Sequence, residues 1–403
     1  MKPIIDSKKI NELLTRGVDK IYPSPKVLEK VLKSGKRIRL YNGIDPSGAK
    51  LHIGHTAQLR KLRLFQELGH EVILLIGSFT AMIGDPTGKN QTRVPLTREQ
   101  VLENAKNYKE QASKILDFNG ENPVKIKYNH EWLDDMSLRD FADLGQHITV
   151  PQLLERDMFE KRLQAGETIS VAEFIYPMLQ GYDSVAMDVD LEIGGSDQTF
   201  NMLVGRDFMK SFANKEKFVM TLPLLVDSKG MKIGKSEGNV IGITDSPEEL
   251  FGKIMALGDD VIISIFESCT DISMEEISKI KSAIKKGENP RNLKARLAET
   301  IVRMYHSESE AKKAVENFDN VFKKHEAPEK IKTFKVKNDK WNIVDLLVET
   351  KLASSKSEAR RLIEQGGIKF GGQILGVGDQ EIIIPKKGDI LQRGKRQFIK
   401  IVL

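Results

Sequence analysis

Residues 37–76 hold the arrangement that most restricts how the chain folds. Arg37 to Ile44 reads as a short β-strand, and Gly54 to Leu68 as an amphipathic helix with Leu59, Leu62, Phe65 and Leu68 at helical spacing. Gly69 stops that helix, and an apolar strand from Val72 to Ile76 follows at once. Strand, helix and strand in this order form a βαβ unit, which places ligands where the first strand ends and the helix begins. His52, Gly54 and His55 fall at that helix start, where unpaired N–H groups and the helix dipole favour an anion. Two imidazoles there can add hydrogen bonds to a nucleotide phosphate, although plain capping is the commoner role of such a pair.

A chain of 403 residues exceeds one ordinary core, so roughly two to four domains are expected. Its 30% charged and 40% hydrophobic residues suit a soluble globular protein, and no apolar run reaches the roughly 18 residues of a membrane span. Met1 to Lys20 is charged and amphipathic, with no apolar signal core. The single cysteine, Cys269, excludes an internal disulfide and a cysteine-rich zinc site, and reads as a packed small side chain. A cytoplasmic enzyme without a protein-held metal is the expectation. The net charge is +6, and from Lys335 onward there are 14 Lys and Arg against 8 Asp and Glu. The excess therefore sits in the last sixth of the chain, which suggests an anionic polymer as partner.

Before the βαβ unit, residues 1–36 read as a helical lead-in that includes Pro25 to Gly35. After it, the loop Gly77 to Lys89 looks superficially like a phosphate-binding P-loop. It fails the pattern, because Gly84 and Gly88 are separated by three residues rather than four, and Asn90 stands where Ser or Thr is required. Thr80 and Asp85 in this loop offer polar groups at the lip of the sheet. Thr97 with Gln100 forms a capping box that predicts a helix to about Leu116. Residues 117–170 read as an amphipathic insertion of short strands and charged helices, including Lys125 to Tyr128 and a helix from Gln152 to Leu163.

On a helix, Tyr176, Gln180 and Asp183 share one face at i, i+4 and i+7, a set of groups suited to an amino-acid pocket or to a half-buried polar stripe. The paired glycines Gly194 and Gly195, ahead of Asp197 and Gln198, let backbone come close to a ribose or a base. Phe218 to Leu222 reads as the last core strand, feeding a loop that contains Lys232-Ile-Gly-Lys-Ser236. Residues 240–330 are helical in pattern, at Pro247 to Ala256, Ser273 to Lys285, Asn292 to Met304 and Glu308 to Lys324. A charged linker containing Pro328 leads to helices at Trp341 to Glu349 and Ser357 to Gln365, with Arg360 and Arg361 outward. Short strands with tight turns at Gly371-Gly372 and Lys387-Gly388 complete the chain.

The His52-Ile-Gly-His55 and Lys232-Ile-Gly-Lys-Ser236 stretches together resemble the two signatures of class I aminoacyl-tRNA synthetases. The surrounding residues resemble the bacterial-type tyrosyl family within that class, along nearly the whole chain. The resemblance implies an α/β fold: a Rossmann-like parallel-sheet catalytic domain over 1–225, its insertion at about 117–170 forming a homodimer interface, and a signature lysine loop at 226–240. It further implies an α-helical anticodon-binding domain at 241–327, a linker at 328–340, and a small basic α+β RNA-binding domain at 341–403 like that of a ribosomal small-subunit protein. Structured RNA is recognised largely through shape and phosphates, which suits Lys and Arg beside shaped turns.

The implied reaction joins L-tyrosine to ATP, with Mg2+ accompanying the nucleotide, and then passes tyrosine to tRNA(Tyr). His52, His55, Lys232, Lys235 and Ser236 are carried over as the catalytic set. Tyr41 and Asp183 go to the substrate phenol, Thr80, Asp85, Tyr176 and Gln180 to its amino end, and Gln198 near its carboxyl and amino groups. Gly43, Asp45, Ser47, Gly54, Gly195 and Asp197, with the two histidines and two lysines, go to ATP. Three departures stand out: glycine replaces the central serine of the lysine motif, Ser78 stands where Asp is common, and Asn42 where Cys is common. A tryptophanyl synthetase, a small-molecule nucleotidylyltransferase and an inactive RNA-binding relative are the competing readings. The first lacks use for Tyr41 with Asp183, the second for a basic terminal module, and the third for intact signature residues.

Overall fold

The computed structural model describes residues 2–86, 96–154, 157–227, 232–233, 240–323, 332–336, 341–376, 382–383, 389–394 and 397–402. The chain divides into two compact units, Met1–Tyr305 and His306–Leu403.

The first unit is built on a six-stranded sheet of β1 (Lys20–Tyr22), β2 (Arg39–Ile44), β3 (Glu71–Ile76), β4 (Lys125–Tyr128), β5 (Leu191–Gly195) and β6 (Phe218–Leu222). Their spatial order is β1-β6-β5-β2-β3-β4, and every pairing is parallel except that of β1 with β6. The chain runs outward from β2 through β3 to β4, then returns to lay β5 on the other side of β2. This reversal opens a crevice beyond the carboxyl ends of β2 and β5, the usual ligand position in such sheets. Central strands covered on both faces must be apolar throughout, and β3, β5 and β6 are buried almost end to end. Leu59, Leu62 and Phe65 of the Ile53–Glu67 helix are fully buried, as their spacing predicts.

Several elements depart from the sequence reading. The lead-in is not wholly helical, because Lys20–Tyr22 is an edge strand registered on Thr221–Val219. Thr97 does cap a helix with Gln100, but it stops at Ala105; Asn107 leaves helical geometry and a second short helix spans Tyr108–Ala112. Within 117–170, Lys125–Tyr128 joins the main sheet beside β3. The Gln152 helix starts earlier, at Val150, where Thr149 and Gln152 exchange hydrogen bonds, and a separate helix covers Asp157–Gln164. A further helix, Ile262–Cys269, lies between Pro247–Met255 and Met274–Lys285.

In the second unit, after the Glu308–Lys323 helix, a five-stranded sheet is ordered Gln373–Ile374, Ile368–Phe370, Ile390–Arg393, Gln397–Val402 and Lys332–Lys335. Trp341–Asn342 is a strand rather than a helical turn, since Asn342 Oδ1 accepts from Val344 N at 2.9 Å and starts the helix at Ile343. Helices Ile343–Glu349 and Lys356–Glu364 pack Leu346, Leu347, Ala359 and Ile363 into one core with Leu391 and Ile401. Arg360 and Arg361 are exposed. Gly371 and Gly372 take φ of 55° and 88°, a left-handed pair that suits glycine. Lys387-Gly388 lies outside the described residues, as does most of the predicted linker. Among the described residues no helix is long and apolar enough to cross a membrane.

Candidate active site

The crevice is a cavity of about 210 Å³. Its walls include Tyr41, Gly43, Asp45 and Ser47 from β2 and the turn after it, His52, Gly54 and His55 from the helix start, and Thr80 and Asp85 from the loop after β3. Tyr176, Gln180 and Asp183 reach it from the Val171–Ala186 helix, Gly195, Asp197 and Gln198 from the end of β5, and Lys232 from the distant loop. Every predicted site residue within the described set therefore meets in one place. Lys235 and Ser236 lie outside the described residues.

The two histidines cap their own helix. His52 Nδ1 accepts from Gly54 N and His55 Nδ1 accepts from His52 N, each at 3.1 Å, and the rings stack with centroids 3.8 Å apart. A neutral imidazole that accepts at Nδ1 carries its proton on Nε2, so both rings are donors there. A Cβ on Gly54 would come within 3.0 Å of the His52 ring, which fixes glycine between them. Lys232 Nζ lies 2.5 Å from Asp197 Oδ2. The base of its loop is fastened to the histidine turn: Ile53 N donates to Ile241 O, Ile243 N to Leu51 O, and Asp245 pairs with both Lys50 and Lys253.

One end of the cavity is lined by Tyr41 and Asp183. Trp132 Nε1 donates to Asp183 Oδ1 at 2.9 Å and Asn129 Nδ2 to Oδ2 at 3.3 Å. Burial pushes the Asp183 carboxyl up, and these two donors oppose that shift. The Tyr41 and Tyr176 phenols are also pushed up by burial, then by nearby carboxylates, so both stay protonated donors. Asp45 accepts from Thr80 Oγ1 at 2.7 Å and from Tyr176 Oη at 2.8 Å, and Gln198 Nε2 donates to Asp85 Oδ2 at 2.7 Å. Asp45 thus ties together residues from three chain segments rather than standing alone at the nucleotide side.

Residues that the sequence reading left without a role also belong here. Asn42 and Asn129 line the cavity, and Asn42 Oδ1 is buried with no hydrogen-bond partner among the described residues. Glu192 lies on β5 beside Tyr41 and pairs with the fully buried Lys217. Ser78 instead sits behind the wall, 2.6 Å from His130 Nδ1. Only the polar residue inside an otherwise apolar strand hinted at Glu192, and nothing local hinted at Trp132.

A parallel sheet with a reversal point, an HxGH turn at the helix that follows β2 and a signature lysine lining the same cavity define the catalytic architecture of a class I aminoacyl-tRNA synthetase. Residues 33–323 match the family model described as tRNA synthetases class I (W and Y), and residues 324–401 match the tyrosine–tRNA ligase SYY-like C-terminal domain. The tyrosine–tRNA ligase of Thermotoga maritima is 45% identical over 97% of this chain and 96% of its own. Tyrosine–tRNA ligase 2 of Vibrio parahaemolyticus is 44% identical, covering 97% of each chain. The chain belongs to the tyrosine–tRNA ligase family. Among solved structures, a tyrosyl-tRNA synthetase from Archaeoglobus fulgidus complexed with L-tyrosine shares the fold at 22% identity, with a TM-score of 0.60 over 77% of this chain and 99% of that one. A C-terminally truncated mitochondrial tyrosyl-tRNA synthetase from Coccidioides posadasii does so at 24%, with 0.63 over 77% and 92%.

Proposed function

We propose that this cleft activates L-tyrosine with ATP, forming tyrosyl-adenylate and pyrophosphate, and then transfers tyrosine to the 3′ end of tRNA(Tyr). The observation that carries the reading is the meeting of Tyr41 with Asp183, the two histidines and Lys232 around one cavity. The tyrosine carboxylate is already ionised, so its in-line attack on the α-phosphate needs no general base. Catalysis then consists of positioning two anions and stabilising charge that develops on phosphate oxygens. His52 and His55, with Nε2 donors, and the Lys232 ammonium supply that charge stabilisation, joined by Lys235 and Ser236 of the same motif.

The phenol lies between Tyr41 and Asp183, and the ammonium among Asp85, Thr80, Tyr176, Gln180 and Gln198. Phenylalanine would leave the buried Tyr41 phenol and Asp183 carboxylate each without the substrate hydroxyl as a hydrogen-bond partner, which penalises it. Gly43, Asp45, Ser47, Gly54, Gly195 and Asp197 border the nucleotide, and Asn42 offers it a desolvated acceptor. Among the described residues no group of three or more His, Cys, Asp and Glu is arranged to hold a metal ion. Mg2+ enters with the nucleotide, held on the ATP phosphates.

The protein acts in the cytoplasm as a homodimer. Supporting the dimer are Leu138 at 84% exposure, Val171 at 72% and Val150 at 64%, large apolar side chains in or beside the insertion. The helices of 241–327 and the basic terminal unit are the tRNA-contacting parts. Amino-acid-dependent exchange of labelled pyrophosphate into ATP, run separately with all twenty amino acids, tests the site. Exchange with tyrosine alone is expected; exchange with tryptophan would remove Tyr41 and Asp183 from their roles, and none at all in a folded, ATP-binding preparation would overturn the reading.

A further inference from the structure

Beside the cavity lies a buried polar cluster, of which Glu192 reaches the wall while Lys217 and Ser184 lie behind it. Lys217, just before β6, is 0% exposed, and Glu192 on β5 is 2% exposed. Lys217 Nζ bonds to Glu192 Oε2, donates to Ser184 Oγ at 2.7 Å, and donates to Met202 O at 3.2 Å. Three acceptors around one nitrogen match the three protons of an ammonium and leave none over. Its burial lowers the lysine's affinity for a proton, and the Glu192 carboxylate works against that loss.

Two arms leave this pair. In the first, Ser184 Oγ stands 3.0 Å from Tyr41 Oη and 3.5 Å from Glu192 Oε2. Lysine can only donate, so the serine accepts from it and has a single proton to place. Ser184 Oγ is within reach of Glu192 as a donor, but 3.5 Å is the outer limit of a hydrogen bond, and the proton is assigned to the closer Tyr41 Oη. Tyr41's own proton is then directed away from the serine. In the second arm, Gln180 Nε2 lies 3.0 Å from Glu192 Oε1. A carboxylate only accepts, which settles which end of this amide faces it. Gln180 Oε1 then turns to Asn201, whose Nδ2 donates to it at 3.0 Å and to Gln198 Oε1 at 2.9 Å.

We infer that the buried Lys217–Glu192 pair sets the hydrogen-bond direction of the whole tyrosine pocket. Through Ser184, Lys217 makes Tyr41 a donor to the substrate phenol oxygen, and through Gln180, Glu192 presents an amide oxygen to the substrate ammonium. At the phenol end the chain of donors runs Lys217, Ser184, Tyr41, phenol, Asp183. It starts at a cation and finishes at a carboxylate that already takes protons from Trp132 and Asn129. Such a one-way chain strengthens each bond in it and rejects a ligand lacking the hydroxyl link. Lys217 and Ser184 are positioning residues, acting through Tyr41, and Glu192 positions Gln180 from the cavity wall. The inference rests on the proposed seating of tyrosine between Tyr41 and Asp183.

The test is pyrophosphate exchange by the full-length protein, with kcat and KM for tyrosine, phenylalanine and ATP. Lys217→Met removes the start of the chain, Ser184→Ala cuts it while leaving the ion pair whole, and Tyr41→Phe is the reference. Lys217→Met and Ser184→Ala are each expected to lower the tyrosine-over-phenylalanine ratio of kcat/KM by about tenfold, mostly through KM for tyrosine. KM for ATP should stay within about twofold. A purely structural role would reduce activity with both amino acids alike; an unchanged ratio in Ser184→Ala, with Tyr41→Phe collapsing it, overturns the relay alone. An unchanged ratio in Tyr41→Phe overturns the seating of the phenol and the relay with it.

Discussion

The ammonium of Lys232 sits 2.5 Å from the Oδ2 of Asp197, closing a bridge across the mouth of the cavity between the signature loop and the end of β5. Lys232 is 38% exposed, and ion pairs of that kind contribute only about 0–1 kcal/mol. An incoming nucleotide can therefore part them at little cost, and on the proposed seating Asp197 then turns to its ribose and Lys232 to its phosphates. Lys232→Ala is expected to lower kcat for tyrosine activation by about 10²- to 10³-fold while KM for tyrosine hardly moves. Pre-steady-state formation of the adenylate would show this directly; an equal loss in tyrosine binding would place Lys232 outside the phosphate site.

Gly205 packs against the Lys217 cluster. A Cβ there would stand 2.5 Å from Lys217 Nζ and 2.8 Å from Ser184 Oγ. Gly205→Ala should destabilise the first unit by about 1–3 kcal/mol through overpacking, read as a lower denaturant midpoint. It should also weaken tyrosine binding, because the displaced groups are those that orient Tyr41.

His70 supplies a pH dependence. Its ring is buried, its Nδ1 accepts from Ile38 N at 3.4 Å, and burial, helped by nearby Arg37, lowers it from 6.5 to about 4. Between those values the unfolded chain binds a proton that the folded one refuses. The stability contributed by neutral His70 is thus complete above pH 6.5 and lost as the pH falls toward 4, by about 3 kcal/mol. His70→Asn keeps an acceptor for Ile38 N but does not titrate. The gap in stability between parent and variant should shift across that window in favour of the variant, and parallel curves would contradict the assignment.

The exposed apolar residues of the insertion bear on assembly. Leu138→Asp together with Val150→Asp should leave particles with the mass of one 45.4 kDa chain in sedimentation equilibrium. A dimer that survived both changes would move the interface elsewhere.

What the sequence made legible follows from the range over which each signal acts. The βαβ unit was readable because capping, helical spacing and strand runs are local, and the HxGH turn fell at the crevice such a unit must have. Tyr176, Gln180 and Asp183 were readable as one face because helix geometry alone aligns them. The pair Lys217–Glu192 was not, since a lysine at the start of a strand normally points to solvent, and its partner lies 25 residues away on a neighbouring strand. The same limit hid Trp132, whose partner Asp183 is 51 residues distant. Three-residue β1 escaped notice because so short a run carries no period. Trp341–Asn342 reads as the start of a helix because the helix it leads into begins only one residue later, behind the capping asparagine.

Strand β1 pairs with β6 across 201 residues, so within this six-stranded sheet the first strand in the chain lies beside the last. At roughly 5–20 residues per second on the ribosome, Lys20–Tyr22 waits on the order of ten to forty seconds for its neighbour to be made. Throughout that interval β1 has no partner, because the strand it covers has not been made. A tag or truncation reaching Lys20 therefore acts on the closing event of sheet assembly, and its damage would appear as low yield of folded chain rather than as a slow enzyme.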